Sequence, residues 1–253
     1  MTASAKNSSR ERFMTSVRVA DNPPLDSANV LADGGGSSLP PALRLQILTT
    51  EHWSLLSTRS LSWSEAFSRA TMFLSVLSGA VVALALVAQA TDFDEGFVSF
   101  ALLVLPVVLF VGVATFMRLV AINREDVGWV VGMNLLRHAY LRAAPELRPY
   151  FVSGAGDDES AIMATFGATP GPGSFAHELV TTPGMLAVVD GVIAGILVGI
   201  IALQAGLGTP IAIGSALVTA LLTVVLLLVY QYRGVVRPRG RRRTQFPERP
   251  AKV

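Results

Sequence analysis

Four apolar runs, each long enough to cross a bilayer, restrict this chain to few folds. The first two, residues 71–90 and 97–116, contain no charged side chain and are joined by the short acidic segment 91–96. A helix needs about 20 apolar residues to cross a hydrocarbon core. Because the backbone finds no water there, each run must satisfy its own hydrogen bonds as a helix. The pattern recurs in residues 185–206 and 211–230, which predicts a second transmembrane hairpin.

The basic residues are sorted by their position relative to these runs. All 20 Lys and Arg residues lie before Thr71, between Phe116 and Met185, or after Tyr230. Basic residues near membrane spans stay in the cytoplasm. The sequence therefore predicts four spans in a bacterial-type plasma membrane, with both termini and the middle segment on the cytoplasmic side. The N-terminal region contains no apolar run of the signal-peptide type, so no cleaved leader is expected.

The composition also excludes several kinds of protein. Hydrophobic residues make up 51% of the chain and charged residues 15%, and the predicted outer turns are too short for a folded external domain. The absence of cysteine removes disulfides, thiolate catalysis and Cys-based metal sites. The predicted fold class is all-α: a four-span transmembrane helical bundle of two hairpins, with cytoplasmic helical extensions and disordered tails.

Shifts in composition divide the chain into segments of different character. The N-terminal arm is rich in small polar residues and has too few apolar residues to offset its ordering entropy. The predicted segments are a disordered cytoplasmic arm (1–41), an amphipathic cytoplasmic or interfacial helix (42–61), the first transmembrane hairpin with a helical extension (62–144, spans about 70–90 and 97–117), a cytoplasmic loop (145–184), the second hairpin (185–232, spans about 185–206 and 211–230) and a basic cytoplasmic tail (233–253).

Local signals predict the limits of the helices in the first hairpin. Ser62 and Glu65 have the spacing of a capping box, which predicts that the first membrane helix begins there. The second membrane helix is expected to kink at Pro106 and to continue to about Ala143. Its extension carries an apolar stripe that packs against the 43–60 helix or against another subunit. The stripe consists of Trp129, Met133, Leu136 and Tyr140, beside a polar stripe of Asn134, His138 and Arg142.

Small residues recur at four-residue intervals in three of the spans. Residues four apart share one face of a helix, and small side chains there let another helix backbone approach closely. The sequence leaves open whether these faces meet within one four-helix subunit or between subunits. The three series are Gly191, Gly195 and Gly199; Ser75, Gly79 and Ala83; and Ala212, Ala216 and Ala220.

Asp190 is the only acidic residue within a predicted span. An intramembrane carboxylate is costly unless it is paired, and it is by default a functional hypothesis. Counted back from Gly206, Asp190 lies near the inner surface, at a depth similar to that of Arg118 and Arg69. The preferred interpretation is a structural ion pair between Asp190 and Arg118, and the alternative is an ion or proton site that lines a pore.

The chain ends in a basic, proline-interrupted tail that is expected to be unfolded. Its position just after a span favours attraction to anionic lipids, at about 1 kcal/mol per basic residue near the surface. No recognition fold accompanies the tail, so nucleic acid is not an expected partner, whereas docking of a cytoplasmic protein stays open. The basic residues are Arg237, Arg239, Arg241, Arg242 and Arg243.

No motif for catalysis is found in the sequence. His52, His138 and His177 are isolated and lack metal-ligand spacing. The acidic run 157–159 lacks the alternating oxygen ligands of a calcium loop. Catalytic residues, metal ligands and a cofactor are therefore not expected.

These observations favour a non-enzymatic, homo-oligomeric channel or pore-like assembly whose subunits associate through the small-residue faces. No span carries a polar stripe broad enough for a wide aqueous path, so a pore would be narrow or hydrophobically gated. The alternative is a membrane scaffold or accessory subunit whose cytoplasmic segments recruit a protein partner.

Overall fold

The computed structural model describes residues 39–166, 181–236 and 244–247. Within these ranges the protein is all-α, and its four long apolar helices form two hairpins, which confirms the predicted fold class. Each of the four is long and apolar enough to cross a membrane. The elements are α1 (Pro41–Thr91), α2 (Glu95–Ala143), a 3₁₀-helix (Pro145–Tyr150), α3 (Glu159–Thr165), α4 (Thr182–Gln204) and α5 (Thr209–Val236).

The chain divides into two compact units, Met1–Gln46 and Ile47–Val253. The described part of the first unit is mainly the start of α1, where Pro41 occupies the first helical position and its missing N–H costs nothing. Most of the predicted arm 1–41, the middle of the predicted loop 145–184 and the arginines of the tail lie outside the described residues.

A tight turn connects α1 to α2 in the second unit. Asp92 and Phe93 both adopt the left-handed backbone conformation, with φ of 47° and 60°, which non-glycine residues adopt infrequently. Asp94 then caps α2, because its carboxylate accepts a 2.8 Å hydrogen bond from the Gly96 N–H. This bond satisfies one of the donors that the start of a helix leaves free, and the two helices run antiparallel from the turn.

The predicted helix start at Ser62 is corrected, because α1 continues through it as one helix of 51 residues. The Ser62 hydroxyl donates to the Thr58 carbonyl at 3.1 Å, as a serine inside a helix does. Glu65 binds arginine side chains instead of a backbone N–H. Neither glycine nor proline occurs between Pro41 and Ser62, so nothing ends the preceding helix and the boundary between residues 61 and 62 is absent.

The second helix is also continuous, and its predicted extension to Ala143 is confirmed. Pro106 lies inside α2 without ending it. The helix stops where the Ala144 N–H donates to the Tyr140 carbonyl at 2.9 Å, and Pro145 then starts the 3₁₀-helix. The residue before a proline is disfavoured in the helical conformation, which explains the stop.

The parts of α1 and α2 beyond the spans, residues 47–69 and 118–143, are called the stalk. Two hydrogen bonds, from Arg59 Nε at 2.6 Å and Nη2 at 3.2 Å, reach the two carboxylate oxygens of Asp126. Asp126 is buried. A charge in that position requires a paired partner, so this ion pair determines which residues of the two stalk helices face each other.

Further along the stalk, the contacts confirm the predicted packing of the α2 extension against the 43–60 region. The Tyr140 hydroxyl donates to the Leu48 carbonyl at 2.9 Å, and the Tyr140 ring stacks on His52 with centroids 5.8 Å apart. Leu55 packs on a small buried cluster of α2 and α3 side chains, which consists of Val130, Val131, Met133 and Ile162.

The second hairpin packs against the first through α4, which contacts both α2 and α5. Thr181 caps α4 by accepting a 3.2 Å bond from the Gly184 N–H, and the Gln231 side-chain amide of α5 donates to the same hydroxyl at 3.2 Å. The start of α4 is thereby tied to the end of α5. The buried core includes side chains from all four helices, among them Phe73, Phe116, Ile193 and Leu228.

The cap, residues 145–166 and 244–247, covers part of the stalk. The polar stripe of α2 is therefore buried in part. Asn134 has no exposed surface, and its side-chain oxygen accepts bonds from Thr165 Oγ1 at 3.0 Å and Arg137 Nη1 at 2.7 Å.

The prediction of an unfolded tail from residue 233 onward is corrected for two pieces. Residues 233–236 continue α5, and residues 244–247 pack on the other part of the cap, residues 145–166, through hydrogen bonds to Asp157. Paired backbone groups and a stacked aromatic ring hold this short piece in place.

We predict that Arg59→Met lowers the free energy of unfolding by about 3 kcal/mol, since it leaves the buried Asp126 carboxylate without an ionic partner. The Arg59→Met/Asp126→Leu double variant should recover most of this loss. Arg69→Met is the control, because Arg69 belongs to an exposed pair and such pairs contribute little. Equal losses in the single and double variants, measured by unfolding in detergent, would contradict the assignment.

Candidate functional site

Asp190 is fully buried where α4 faces α2. A Cβ atom at Gly112 would overlap the Asp190 carboxyl and would lie 2.9 Å from the Phe73 ring. The glycine therefore leaves the space that the carboxyl occupies. Neither carboxyl oxygen has a hydrogen-bond partner among the described residues. Because an unpaired carboxylate is costly in an apolar interior, this packing suits a carboxyl group that carries a proton.

The predicted ion pair between Asp190 and Arg118 is not formed. Arg118 turns towards α1, and its Nε and Nη2 atoms donate to the two carboxylate oxygens of Glu65 at 2.9 Å each. Its Nη1 atom donates to Glu125 at 3.1 Å, and Arg69 Nε donates to Glu65 at 2.8 Å. The physical reason is the antiparallel register of α1 and α2, which places Glu65 and Arg118 about equally far from the first turn and so beside each other. Asp190 lies about 12 Å along α4 from its start and packs against Gly112 of α2, not against Arg118.

The Glu65 cluster forms a charged layer at the end of the first hairpin's predicted spans. Hydrogen bonds from Arg118 and from Arg69 lower the pKa of Glu65 to about 2. The same pairing raises the pKa of Arg118. Glu65 is therefore ionised at neutral pH, and its charge is matched by arginines from both stalk helices.

The glycine and alanine faces of the second hairpin meet each other. A Cβ atom at Gly195 would lie 2.6 Å from the Ala216 carbonyl oxygen, and one at Gly191 would lie 2.8 Å from the Ala220 carbonyl oxygen. At Gly199 the distance to the Ala216 Cβ atom would be 3.2 Å. The sequence left open whether the small-residue faces meet within one subunit or between subunits. The glycine series of α4 and the alanine series of α5 meet within one subunit, and Ala212 is buried there.

The third series, on α1, is not filled in the same way. Ser75 and Gly79 are exposed and Ala83 is half-buried. A Cβ atom at Gly79 would meet no other atom within 4 Å. This part of α1 is therefore open to lipid or to another molecule.

The polar side chains of the α1 span point away from the rest of the bundle. Together with the apolar Val82 and Ala85, they occupy positions at three- and four-residue intervals, so they share one face, and every member is exposed. The buried residues Ala66, Ala70, Phe73 and Ala88 lie on the opposite side of α1. We call this outward surface the hydroxyl face, and it consists of Thr71, Ser75, Ser78, Val82, Ala85 and Gln89.

The α5 helix shows the reverse arrangement, with its hydroxyls turned inward. Its side chains Ser215, Thr219 and Thr223 are half-buried, whereas the large exposed side chains between Pro210 and Val229 are apolar. The exposed surface includes Ile211, Ile213, Leu217, Val218, Leu221, Leu222, Val225 and Leu226. This is the surface expected of a helix that faces lipid.

A different polar site lies in the cap, where Asp157 binds the tail. The Asp157 carboxylate accepts hydrogen bonds from the backbone N–H groups of Gln245 at 2.7 Å and Phe246 at 2.9 Å. The Asp157 N–H donates to the Phe246 carbonyl at 3.2 Å. The Phe246 ring stacks on His138, with centroids 4.5 Å apart and planes 28° apart. The tail is thus held at one carboxylate and one aromatic surface.

His138 lies in a positive environment. Burial lowers the pKa of His138, and the nearby charge of Arg142 and, to a smaller extent, that of Arg148 act in the same direction. A backbone hydrogen bond with Ala155 and the charge of Asp157 oppose them. The imidazole is therefore mainly neutral at pH 7, as its stacking on Phe246 suits.

The search for metal ligands is confined to the part of the chain that the structure describes. There, no three His, Asp or Glu side chains lie close enough together to hold a metal ion. His177 and the arginines at 237–243 lie outside the described residues.

Several of these features were missed by sequence reasoning. The sequence does contain a signal for the Arg59–Asp126 and Glu65–Arg118 pairs, because residues equally far from a hairpin turn come together in antiparallel helices. The hydroxyl face had a weaker one, since its serines are separated by apolar residues. The contact between Asp157 and Phe246 had none, because the two residues are 89 positions apart.

The fold and its surfaces define the class: a helical multi-pass membrane protein with two hairpins. Comparison with known proteins takes the assignment no further, since no family model, no curated protein and no solved structure matches the chain.

We predict that Gly195→Ala destabilises the second hairpin by about 1–3 kcal/mol, the cost of overpacking, because the new Cβ atom would press on the Ala216 carbonyl. Gly214→Ala is the matched control on α5, where a Cβ atom would meet nothing within 4 Å. Thermal unfolding in detergent, followed by circular dichroism, measures both variants. Equal tolerance of the two alanines would contradict the observed packing.

We predict different effects on thermal stability from removing two carboxylates. Asp190→Asn should unfold at the same temperature as the wild type or above it, since no cation is lost. Glu65→Gln should unfold at a lower temperature at pH 7, because the pKa of Glu65 is lowered in the folded state. That stabilisation is complete above the unfolded pKa of about 4.3 and is lost as pH falls towards 2. The Glu65→Gln deficit should therefore shrink on acidification, and a constant deficit would argue against the pairing.

Proposed function

We propose that the protein is a non-enzymatic, homo-oligomeric channel in which the hydroxyl faces of α1 from neighbouring subunits surround a narrow central path. The positions of Lys and Arg support a bacterial-type plasma membrane with both chain ends on the cytoplasmic side.

The observation that carries the proposal is the contrast between the exposed surfaces of α1 and α5. Both spans have an outward surface, but the hydroxyl side chains of α1 (Thr71, Ser75 and Ser78) are exposed on it, whereas those in the middle of α5 are turned inward. A buried hydroxyl without a partner costs roughly 1–3 kcal/mol. Bonds to the same helix reduce this cost, as when the Ser75 hydroxyl donates to the Thr71 carbonyl at 2.9 Å. Water, or the hydroxyl face of another copy, would satisfy the remaining hydrogen-bonding groups of these side chains better than lipid would.

The size of the side chains supports a narrow path over a wide one. Serine, alanine and the nearby Gly79 let helices approach closely, and Val82 adds an apolar ring in the middle. An apolar constriction of this kind can gate by excluding water. Apolar α5 would then face the lipid.

The hydroxyl face continues below the span into the stalk. Four further serines have the same angular position on α1, and all are exposed. A polar lining would thus extend from the membrane into a vestibule between the stalks. The four are Ser57, Ser60, Ser64 and Ser68.

The absence of cysteine from the chain allows a clean test with single-cysteine variants. Ser78→Cys lies on the hydroxyl face, and Val218→Cys is the control on the exposed face of α5. We predict that oxidation cross-links Ser78→Cys between copies in liposomes and leaves Val218→Cys monomeric on a denaturing gel. In separate liposomes kept reduced, so that the thiols are free, a charged, water-soluble thiol reagent should reduce ion flux through Ser78→Cys while flux through Val218→Cys stays unchanged.

The outcomes separate the channel from the alternative role. Cross-linking at Val218 in place of Ser78 would move the interface to α5 and overturn the proposed arrangement. An oligomer without ion flux at any voltage or pH would overturn the channel and favour the scaffold, in which the cap recruits a cytoplasmic protein.

A further inference from the structure

Asp190 is a buried acidic group to which the proposed channel assigns no role. Its side chain is fully buried, and neither carboxyl oxygen has a hydrogen-bond partner among the described residues. It is also the only charged side chain on α4. An ionised carboxylate in an apolar interior is far more costly than a neutral carboxyl group, so the packed bundle favours the protonated form.

On α1 and α2, the charged groups nearest to this carboxyl along the chain are engaged elsewhere. The carboxyl packs against Gly112 of α2, where the Phe73 ring of α1 also lies. Arg69 is four residues from Phe73, and Arg118 is six residues from Gly112. Both arginines donate to Glu65, so their charges are already matched in the layer at the end of the spans.

The α5 helix brings its titratable side chains only to a more distant level. A Cβ atom at Gly191, the residue after Asp190, would lie 2.6 Å from the Val224 side chain, which marks the level of α5 beside the carboxyl. The titratable side chains of α5 follow Val224 by six residues or more, which is at least about 9 Å along the helix. They are Tyr230, Tyr232 and Arg233.

The interface that can relieve an ionised Asp190 is the one between α2 and α4. The backbones of α4 and α5 touch, since a Cβ atom at Gly195 would lie 2.6 Å from the Ala216 carbonyl oxygen, and the Gln231 amide donates to Thr181 at the start of α4. Between α2 and α4, by contrast, the space at Gly112 is filled by the carboxyl group itself. We call this interface the α2–α4 seam.

We propose that Asp190 is a proton-binding site that controls the α2–α4 seam: the protonated carboxyl group packs against Gly112, and release of its proton opens the seam to water. The step is an acid dissociation, in which the O–H bond breaks, its electron pair stays on the carboxylate oxygen and the proton passes to the entering water. The site goes beyond the proposed channel and does not rest on it, because proton release and opening are both measured without ion flux.

Proton release and opening are linked in both directions. The closed seam keeps the proton, whereas water in the open seam solvates the carboxylate, so a rise in pH favours the open form. Where the open form is ionised and the closed form is not, each further pH unit favours opening by about tenfold. Asp190→Asn cannot ionise, so this variant should stay closed at every pH.

Infrared spectroscopy of the full chain, in a maltoside detergent without ester groups, tests the proton itself. The range from about pH 6 to about pH 9 covers the values at which buried carboxyl groups release their protons. We expect the carbonyl band of a protonated carboxyl group at the acidic end, its replacement by carboxylate bands at the alkaline end, and neither signal in Asp190→Asn. Glu65→Gln is the matched control and should leave the carbonyl band unchanged, because the pKa of Glu65 is lowered to about 2.

Thiol labelling tests the opening of the seam. Ala187 is fully buried three residues before Asp190, and Ala187→Cys supplies the only thiol of the chain. At the alkaline end, a water-soluble maleimide should label it at least about tenfold faster with Asp190 present than in the Asp190→Asn background. Because both are compared at the same pH, the reactivity of the thiol cancels. Ala194→Cys, also buried and one turn beyond Asp190, gives the same measurement if Ala187→Cys does not fold.

Val130→Cys controls for general loosening, because Val130 is buried in the stalk and should stay unlabelled throughout. Absence of the carboxyl carbonyl band at about pH 6, or its persistence to about pH 9, would overturn the proton site. Equal labelling of Ala187→Cys with and without Asp190 would overturn its control of the seam. Labelling of Val130→Cys together with Ala187→Cys would also overturn it, since the whole chain would then be unfolding.

Discussion

The antiparallel register of α1 against α2 is the constraint on which the other features depend. The turn at Asp92 and Phe93 sets it, and the pairs of Arg59 with Asp126 and of Glu65 with Arg118 hold it beyond the spans. Shifting one helix by a single residue would rotate its contacts by about 100° and separate both pairs. The register also orients α1, because the same rotation that places Phe73 in the core places the hydroxyls outside.

The two hairpins are held together by different physical means. In the second hairpin, small residues let the α4 and α5 backbones approach until a methyl group would not fit, so dispersion contacts and weak interactions dominate. In the first hairpin the contacts are made by longer side chains, and ion pairs act outside the predicted spans. As a result, α4 is packed between α2 and α5, and Asp190 on α4 is fully buried.

The cap adds specific polar contacts at the end of the stalk that is farthest from the spans. The buried Asn134 accepts hydrogen bonds from the half-buried Thr165 and Arg137, and the half-buried Asp157 carboxylate holds a distant piece of the tail. Hydrogen bonds are directional, so these contacts specify a single docking geometry where apolar contacts alone would allow several. Movement of this piece of the tail would therefore change the contacts of His138 near the end of α2.

The sequence by itself determined the four apolar helices, their pairing in two hairpins and the length of α2, because these follow from local hydrophobicity and from the cost of unpaired backbone groups in lipid. It could not determine the partner of Asp190, since a plausible depth does not say which way Arg118 turns. Tertiary structure decided that Arg118 binds Glu65, that Gly195 meets Ala216, and that Phe246 stacks on His138. Each of these contacts depends on the rotation and register of whole helices, which arise from many contacts acting together, whereas the spacing of residues along the chain indicates only which of them could meet.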